Sequence, residues 1–216
     1  MIVSRRQLPH NDAVLTVENN FIERVSCFKY LGCWLEEDWS ADKEIKCRIE
    51  IARNCFLKLK KLLCCRELSM DLRLRLIKCY VWPILLYACE TWTLKTTHMN
   101  RIEAFELWIY RRLLRISWVD HVSNEEVLEL MQTSRELLST FKKRKVSYFG
   151  HVMRGNKYEL LQLIVEGKIE GRRGMGRKQL SWLRNIRNWT GVRTAGELIH
   201  LATDRTQFQQ LISSIV

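Results

Sequence analysis

A mainly α-helical fold is what the sequence predicts: an N-terminal β-hairpin, then a helical bundle, then a second small basic helical subdomain. Three observations carry it. Glycine (9) and proline (2) are scarce in 216 residues, too few breakers for the many turns of an all-β sandwich or barrel. Apolar residues recur at three- and four-residue steps along most of the chain. β-Formers cluster before Asp38 and turn residues punctuate them. With 47% hydrophobic and 28% charged residues the composition is that of a globular protein with a core, not a disordered tail. No run of about 18 uncharged apolar residues predicts a membrane span.

Taken in order, residues 13–35 read as strand. Val14, Thr16, Phe21, Val25, Phe28 and Tyr30 are β-formers, with Glu18-Asn19-Asn20 as a turn. After Asp38-Trp39-Ser40 the period changes. Ile45, Ile49, Ala52, Phe56, Leu59 and Leu63 line one face of a long helix. Ser69 caps a second helix through Leu72, Leu76, Cys79 and Tyr80, which Pro83 should kink, because proline lacks an N–H and its ring crowds the preceding turn. A third helix runs over 97–116 with Ile102, Phe105, Ile109 and Leu113 inward. Ser123 and Glu126 have capping-box spacing for a fourth. Further helices are expected over 135–153, 158–165, 178–189 and 195–201. The stretch 117–123, containing Trp118-Val-Asp-His121, interrupts the helical pattern and marks a boundary, so the expected units are 1–38, 39–117 and 118–216.

The charge of +12 is unevenly spread. From Thr140 to Arg187 thirteen Lys or Arg face three acids, which leaves only +2 for the rest of the chain. This stretch holds Lys142, Lys143, Arg144 and Lys145, and a glycine-rich loop from Gly167 to Lys178. In that loop Gly171, Gly174 and Gly176 allow close backbone approach, while Arg172, Arg173 and Arg177 supply fork-shaped donors ahead of a helix start at Lys178. A second run, Arg53 to Arg66, carries Lys58, Lys60 and Lys61 and no acid. Either run alone reads as a solvated helix face, and the loop alone as a surface loop. Together they form the electrostatic footprint of a phosphate-backbone partner, that is, RNA, DNA or an RNA–DNA hybrid. Trp182 and Trp189, seven residues apart, read as core aromatics rather than base-stacking platforms.

No catalytic centre is legible. The six aspartates include no adjacent pair, the acidic Glu36-Glu37-Asp38 reads as a solvated turn, and there is no Gly-x-x-x-x-Gly-Lys-Ser/Thr loop. The five histidines are scattered. The eight cysteines, all among the first 90 residues, form no Cys-x-x-Cys pair; with no secretory signal at Met1-Ile-Val-Ser-Arg-Arg-Gln7 they are expected as reduced, buried thiols in an intracellular protein of the nucleus or cytoplasm.

At Val25-Ser-Cys-Phe-Lys-Tyr-Leu-Gly32 the sequence resembles the Phe-x-Tyr-Leu-Gly segment that closes the palm of non-LTR (LINE-like) retrotransposon reverse transcriptases. Four further stretches resemble the family in the same order: Leu85-Leu-Tyr-Ala-Cys-Glu-Thr-Trp92; Leu114-Arg-Ile-Ser-Trp-Val-Asp120 with Asn124-Glu-Glu-Val-Leu128; Tyr148-Phe-Gly-His-Val-Met-Arg154; and Gly167-Lys-Ile-Glu-Gly-Arg-Arg-Gly-Met-Gly-Arg177 with Trp182. The resemblance implies a primer-grip role for Phe28, Lys29, Tyr30, Leu31 and Gly32, and a thumb-like bundle from Lys43 onward that tracks a template–primer duplex. It places the magnesium-binding polymerase aspartates before the grip. No Asp-Asp occurs here. The expectation is therefore a remnant of an RNA-directed DNA polymerase polyprotein without its catalytic palm, retaining template–primer binding and needing no cofactor of its own. The alternatives are the C-terminal segment of an active enzyme whose palm lies upstream, and a helical protein-interaction module with no membrane partner.

Overall fold

The computed structural model describes residues 16–17, 20–21, 25–38, 40–168 and 181–215. The chain is mainly helical behind an N-terminal β-element, as predicted. Strands β1 (Thr16–Val17) and β2 (Asn20–Phe21) pair antiparallel with Val17 opposite Asn20. Strands β3 (Cys27–Tyr30) and β4 (Cys33–Glu36) form a tight hairpin in which Tyr30 faces Cys33 and Lys29 faces Trp34. Its two-residue turn, Leu31-Gly32, has positive φ at both positions (47° and 82°), as a type I′ turn demands.

Helix α1 (Asp42–Lys58) carries acids in its first turn and Lys58 in its last, which suits the helix dipole. It buries Ile45, Ile49, Ala52 and Phe56, the stripe read from the sequence. A short α2 (Lys60–Leu63) follows, then α3 (Met70–Leu76), whose cap Ser69 accepts a hydrogen bond from the Leu72 N–H at 3.3 Å. The kink expected at Pro83 takes a definite form. The chain passes through a π-helical stretch, Ile77–Val81, directly before α4 (Trp82–Leu85), and the Trp82 N–H reaches back to the Ile77 carbonyl. The wider turn lies where proline cannot supply the N–H of a regular helix.

Helix α5 (Thr96–Leu114) buries Ile102, Phe105, Ile109 and Leu113. After it, α6 (Asn124–Met131) starts with the reciprocal Ser123–Glu126 box, Glu126 accepting from the Ser123 N–H at 2.6 Å. Helix α7 (Leu137–Arg154) has no capping side chain of its own. The buried Glu106 carboxylate of α5 supplies one, accepting from the backbone N–H groups of Glu136 (2.9 Å) and Leu137 (3.0 Å) and from the Tyr110 hydroxyl (2.8 Å). Burial pushes the Glu106 carboxyl above its ordinary pKa. Next come α8 (Glu159–Glu166), α9 (Trp182–Thr190), α10 (Ala195–Thr203) and α11 (Arg205–Ser213).

Two apolar clusters form the core. One extends from Ile45 to Phe141 and is built by α1 to α7 and their connections. The other gathers Val146, Phe149, Ile186, Leu198, Phe208, Ile212 and Ile215 from α7, α9, α10, α11 and the residues after it. Helix α7 feeds both, and Trp189 packs against both.

Two expectations need correction. Only Cys89 is fully buried; six cysteines are half-buried and Cys79 is exposed. These thiols sit at the margins of helix contacts, where they approach carbonyls such as Tyr80 O from Cys55 (3.7 Å) and Arg112 O from Cys64 (3.5 Å). Helix α11 was not expected at all. Its start depends on Asp204, which accepts from the N–H groups of Thr206 and Gln207.

Candidate nucleic-acid interface

The hairpin is anchored from one side and presented on the other. A buried ion pair on α1, Glu44–Arg48 at 2.7 Å, holds it. Glu44 accepts from the Trp34 N–H at 2.7 Å, and Arg48 donates to the Gly32 carbonyl at 2.6 Å while stacking on the Tyr87 ring at 4.3 Å. The Tyr87 hydroxyl donates to the Leu31 carbonyl at 2.8 Å. Lys43 covers the Trp34 ring at 4.0 Å and bonds Cys27 Sγ. The turn is thus fixed by two protein donors on successive carbonyls. Phe28 and Tyr30, which share one face of β3, and Leu31 in the turn are 50%, 56% and 74% exposed; Lys29, on the other face with its ammonium 6.0 Å from the Trp34 ring, and Gly32 are exposed as well. All five grip-like residues therefore sit together at an open hairpin tip.

Lys60 and Lys61 meet partners that the sequence reading missed. They line an open cleft of about 670 Å³ with Cys64, Arg112, Arg115 and Ile116, so four of its six lining residues are cationic and none is acidic. Arg115 ends α5 in the left-handed conformation (φ 62°) and donates to the Cys64 carbonyl at 3.0 Å. Arg112 stacks on Trp108 at 4.2 Å, and Arg53 approaches the same ring at 5.2 Å. The Arg111-Arg112 pair with Arg115 was visible in the sequence as a basic helix end. Such an end is ordinarily explained by the helix dipole alone. Only the fold brings it against α2, 48 residues earlier in the chain. Lys58, at the end of α1, is exposed.

The α7 basic run divides. Lys142 and Lys143 are half-buried, and Arg144 pairs with Glu90 at 2.9 Å. Lys145 is a correction: it is wholly buried and so withdrawn from the phosphate-facing set. Its ammonium donates to the Trp92 carbonyl (2.6 Å) and Asn185 Oδ1 (3.2 Å) and lies over the rings of Trp182 (5.1 Å) and Trp189 (5.2 Å). Desolvation pushes it down to about 7, while the Cys89 thiol nearby is pushed up to about 12. Asn185 also accepts from the Leu94 N–H and donates to the Leu94 carbonyl, and Trp182 donates to the Glu90 carbonyl at 2.7 Å. Trp182 and Trp189 are accordingly half-buried aromatics packed against the apolar clusters. Arg172, Arg173, Arg177 and Lys178 lie outside the described residues. Among the described residues no group of three His, Cys, Asp or Glu is placed to hold a metal ion, so no step through magnesium is assigned to them. Nor is any described helix long and apolar enough to cross a membrane.

Two curated relatives carry names that bear on this geometry. A transposon-derived protein of Caenorhabditis elegans is 28% identical over 150 residues, covering 65% of this chain and 54% of the relative. The RNA-directed DNA polymerase from mobile element jockey of Drosophila funebris is 26% identical over 106 residues, 48% of this chain and 12% of that polymerase. These relatives support a LINE-like retrotransposon origin. The chain is similar to about half the length of the first and about an eighth of the second. No family model and no solved structure matches it.

Proposed function

We propose that this chain is the primer-grip-like hairpin, thumb-like bundle and basic C-terminal region of a retrotransposon RNA-directed DNA polymerase, and that it holds the backbone of a template–primer. The observation that carries the reading is the acid-free cleft of Lys60, Lys61, Arg112 and Arg115. Converging cations recognise phosphates rather than sequence, and arginine forks suit phosphate oxygens. The exposed aromatic hairpin tip is the second contact, and the basic glycine-rich sequence containing Arg172, Arg173 and Arg177 a third.

The test is affinity for an RNA–DNA hybrid, followed by fluorescence anisotropy across a salt series. Binding should weaken with a log–log slope of about 0.7–0.9 per phosphate neutralised. Changing Lys60, Lys61 and Arg112 to Gln should lower both the affinity and the slope, the latter by about 2 to 3. Unchanged values in that variant would remove the cleft from the interface. The same titration with Arg172, Arg173 and Arg177 replaced tests that third contact.

A second reading, the tail of an active polymerase, is favoured by how small a part of the jockey polymerase is matched. It requires a Tyr/Phe-x-Asp-Asp turn, with its magnesium, encoded upstream in frame. Sequencing that region decides it.

A further inference from the structure

Trp118 is 91% exposed, while the other tryptophans whose side chains are described are buried or half-buried. It stands on a short turn, Trp118–Asp120, that is closed from both ends. The Ser117 N–H donates to Asp120 Oδ2 at 2.6 Å, the Asp120 N–H donates to the Ser117 carbonyl at 3.2 Å, and Arg111 fastens the exit by donating to the Val122 carbonyl at 2.7 Å. His121 follows in the left-handed conformation, φ 49°. An indole that could bury 150–250 Å² is therefore held out to solvent on a pre-organised backbone, together with Val119 at 76% exposure. Two residues before it lies Ile116, a wall of the basic cleft, so the two Cα atoms are at most about 7 Å apart.

We propose that Trp118 is a stacking platform for an unpaired nucleobase whose phosphates enter the adjacent Arg112–Arg115–Lys60–Lys61 cleft. This rests on the nucleic-acid reading above and adds to it a preference for single-stranded or frayed segments. Bases inside a duplex already stack on one another and offer no open face; an unpaired base does. Charge sets the direction of approach. In the chain the turn is preceded by Arg111, Arg112 and Arg115 and followed by Glu125, Glu126 and Glu129 on α6, while its own Asp120 carboxylate is engaged by the Ser117 N–H, so a phosphate chain is drawn to the α5 end. An exposed aromatic beside a cation cluster suits a partner that is both flat and anionic. An acidic protein surface would meet the charge and leave the ring without a matching face.

The experiment compares the full chain with Trp118→Ala and Trp118→Tyr on three probes of equal length: a single-stranded RNA, a blunt RNA–DNA hybrid and an abasic single-stranded backbone. Trp118→Ala should weaken single-strand binding by roughly 5- to 150-fold, the range of one lost base stack. Its salt slope should not change, because stacking releases no counterions. Hybrid and abasic probes should bind both proteins within about twofold, and Trp118→Tyr should recover most of the single-strand affinity. Equal losses on all three probes, or no loss on any, would overturn the stacking platform while leaving the cleft in place. Failure of the unaltered protein to bind any probe at low salt would instead overturn the reading beneath it.

Discussion

Lys145 is charged at one pH and neutral at another within an ordinary working range, because its folded pKa is about 7 against an ordinary value of 10.5. Between those values the unfolded chain holds a proton that the folded chain has shed, so this group makes stability rise with pH from 7 to 10.5. Below 7 both states are protonated and the folded state bears the full cost of a buried charge. The thermal midpoint of the wild type, measured against Lys145→Met, should climb from pH 7 to pH 10; a constant difference would show that Lys145 does not titrate in this window. Arg115 makes the opposite case, a residue whose conformation does not suit it. Left-handed backbone costs a side-chain-bearing residue about 1–2 kcal/mol, and its exposed bond to Cys64 O returns about 1 kcal/mol. Arg115→Gly should therefore keep stability within about 1 kcal/mol while reducing the salt slope of nucleic-acid binding by about 0.7–0.9. Urea denaturation and anisotropy on the same variant separate the two effects. A variant that loses stability and keeps affinity would make Arg115 a structural residue.

At the scale of elements, the hairpin depends on α1 rather than on itself, since two short strands alone are marginal in water. Arg48→Met leaves Glu44 buried without its partner and the Gly32 carbonyl without its donor, a loss of about 3–5 kcal/mol in buried settings. Hydrogen exchange should quicken at the Trp34 amide, which Glu44 holds, and at the Glu37 amide, which the Ser26 carbonyl holds, while α5 and α7 remain protected; protection unchanged in the hairpin would refute the anchoring. A second packing constraint explains a glycine. A Cβ at Gly150 would lie 2.5 Å from the Phe208 ring, so α11 seats on α7 only where α7 lacks a side chain. Gly150→Ala improves helix propensity by about 1 kcal/mol yet should destabilise by about 1–3 kcal/mol through overpacking, read as a lower urea midpoint. These cases show what the sequence could disclose. Helices with a dense apolar stripe and a local cap, such as α1 and α6, were legible because their determinants lie within a few residues. Helix α11 was not, since it buries little besides Phe208 and Ile212 and its pocket is made by Gly150, 58 residues away. The same limit governs the site. Lys60 and Lys61 could be read as basic, and so could Arg112, but their convergence is a tertiary fact. Lys145 read as one more surface cation because its neighbours Lys142 to Arg144 are polar, and nothing local shows that Trp92 and Asn185 enclose it.

Across the whole molecule one helix joins what would otherwise be two cores. Helix α7 gives Leu137, Leu138 and Phe141 to the first cluster and Val146 and Phe149 to the second, along about 27 Å. Between these sets Lys145 bonds both Trp92, which belongs to the first, and Asn185 of α9. Phe141 itself contacts Trp92 (5.8 Å) and Trp189 (6.0 Å), and Trp189 touches both clusters. A cavity at Phe141 is therefore felt on both sides of the junction. Phe141→Ala should cost about 3–5 kcal/mol and shift one shared transition, so that urea unfolding followed by far-ultraviolet circular dichroism coincides with unfolding followed by tryptophan fluorescence. Two units melting independently, 39–117 and 118–216, would give separated curves, with the variant moving only one of them. A coincident shift has a consequence for binding. The cleft at the α2–α5 junction and the second apolar cluster would then be held in one fixed relation through α7, so that a template–primer engaged at the cleft meets the C-terminal region without a further ordering cost.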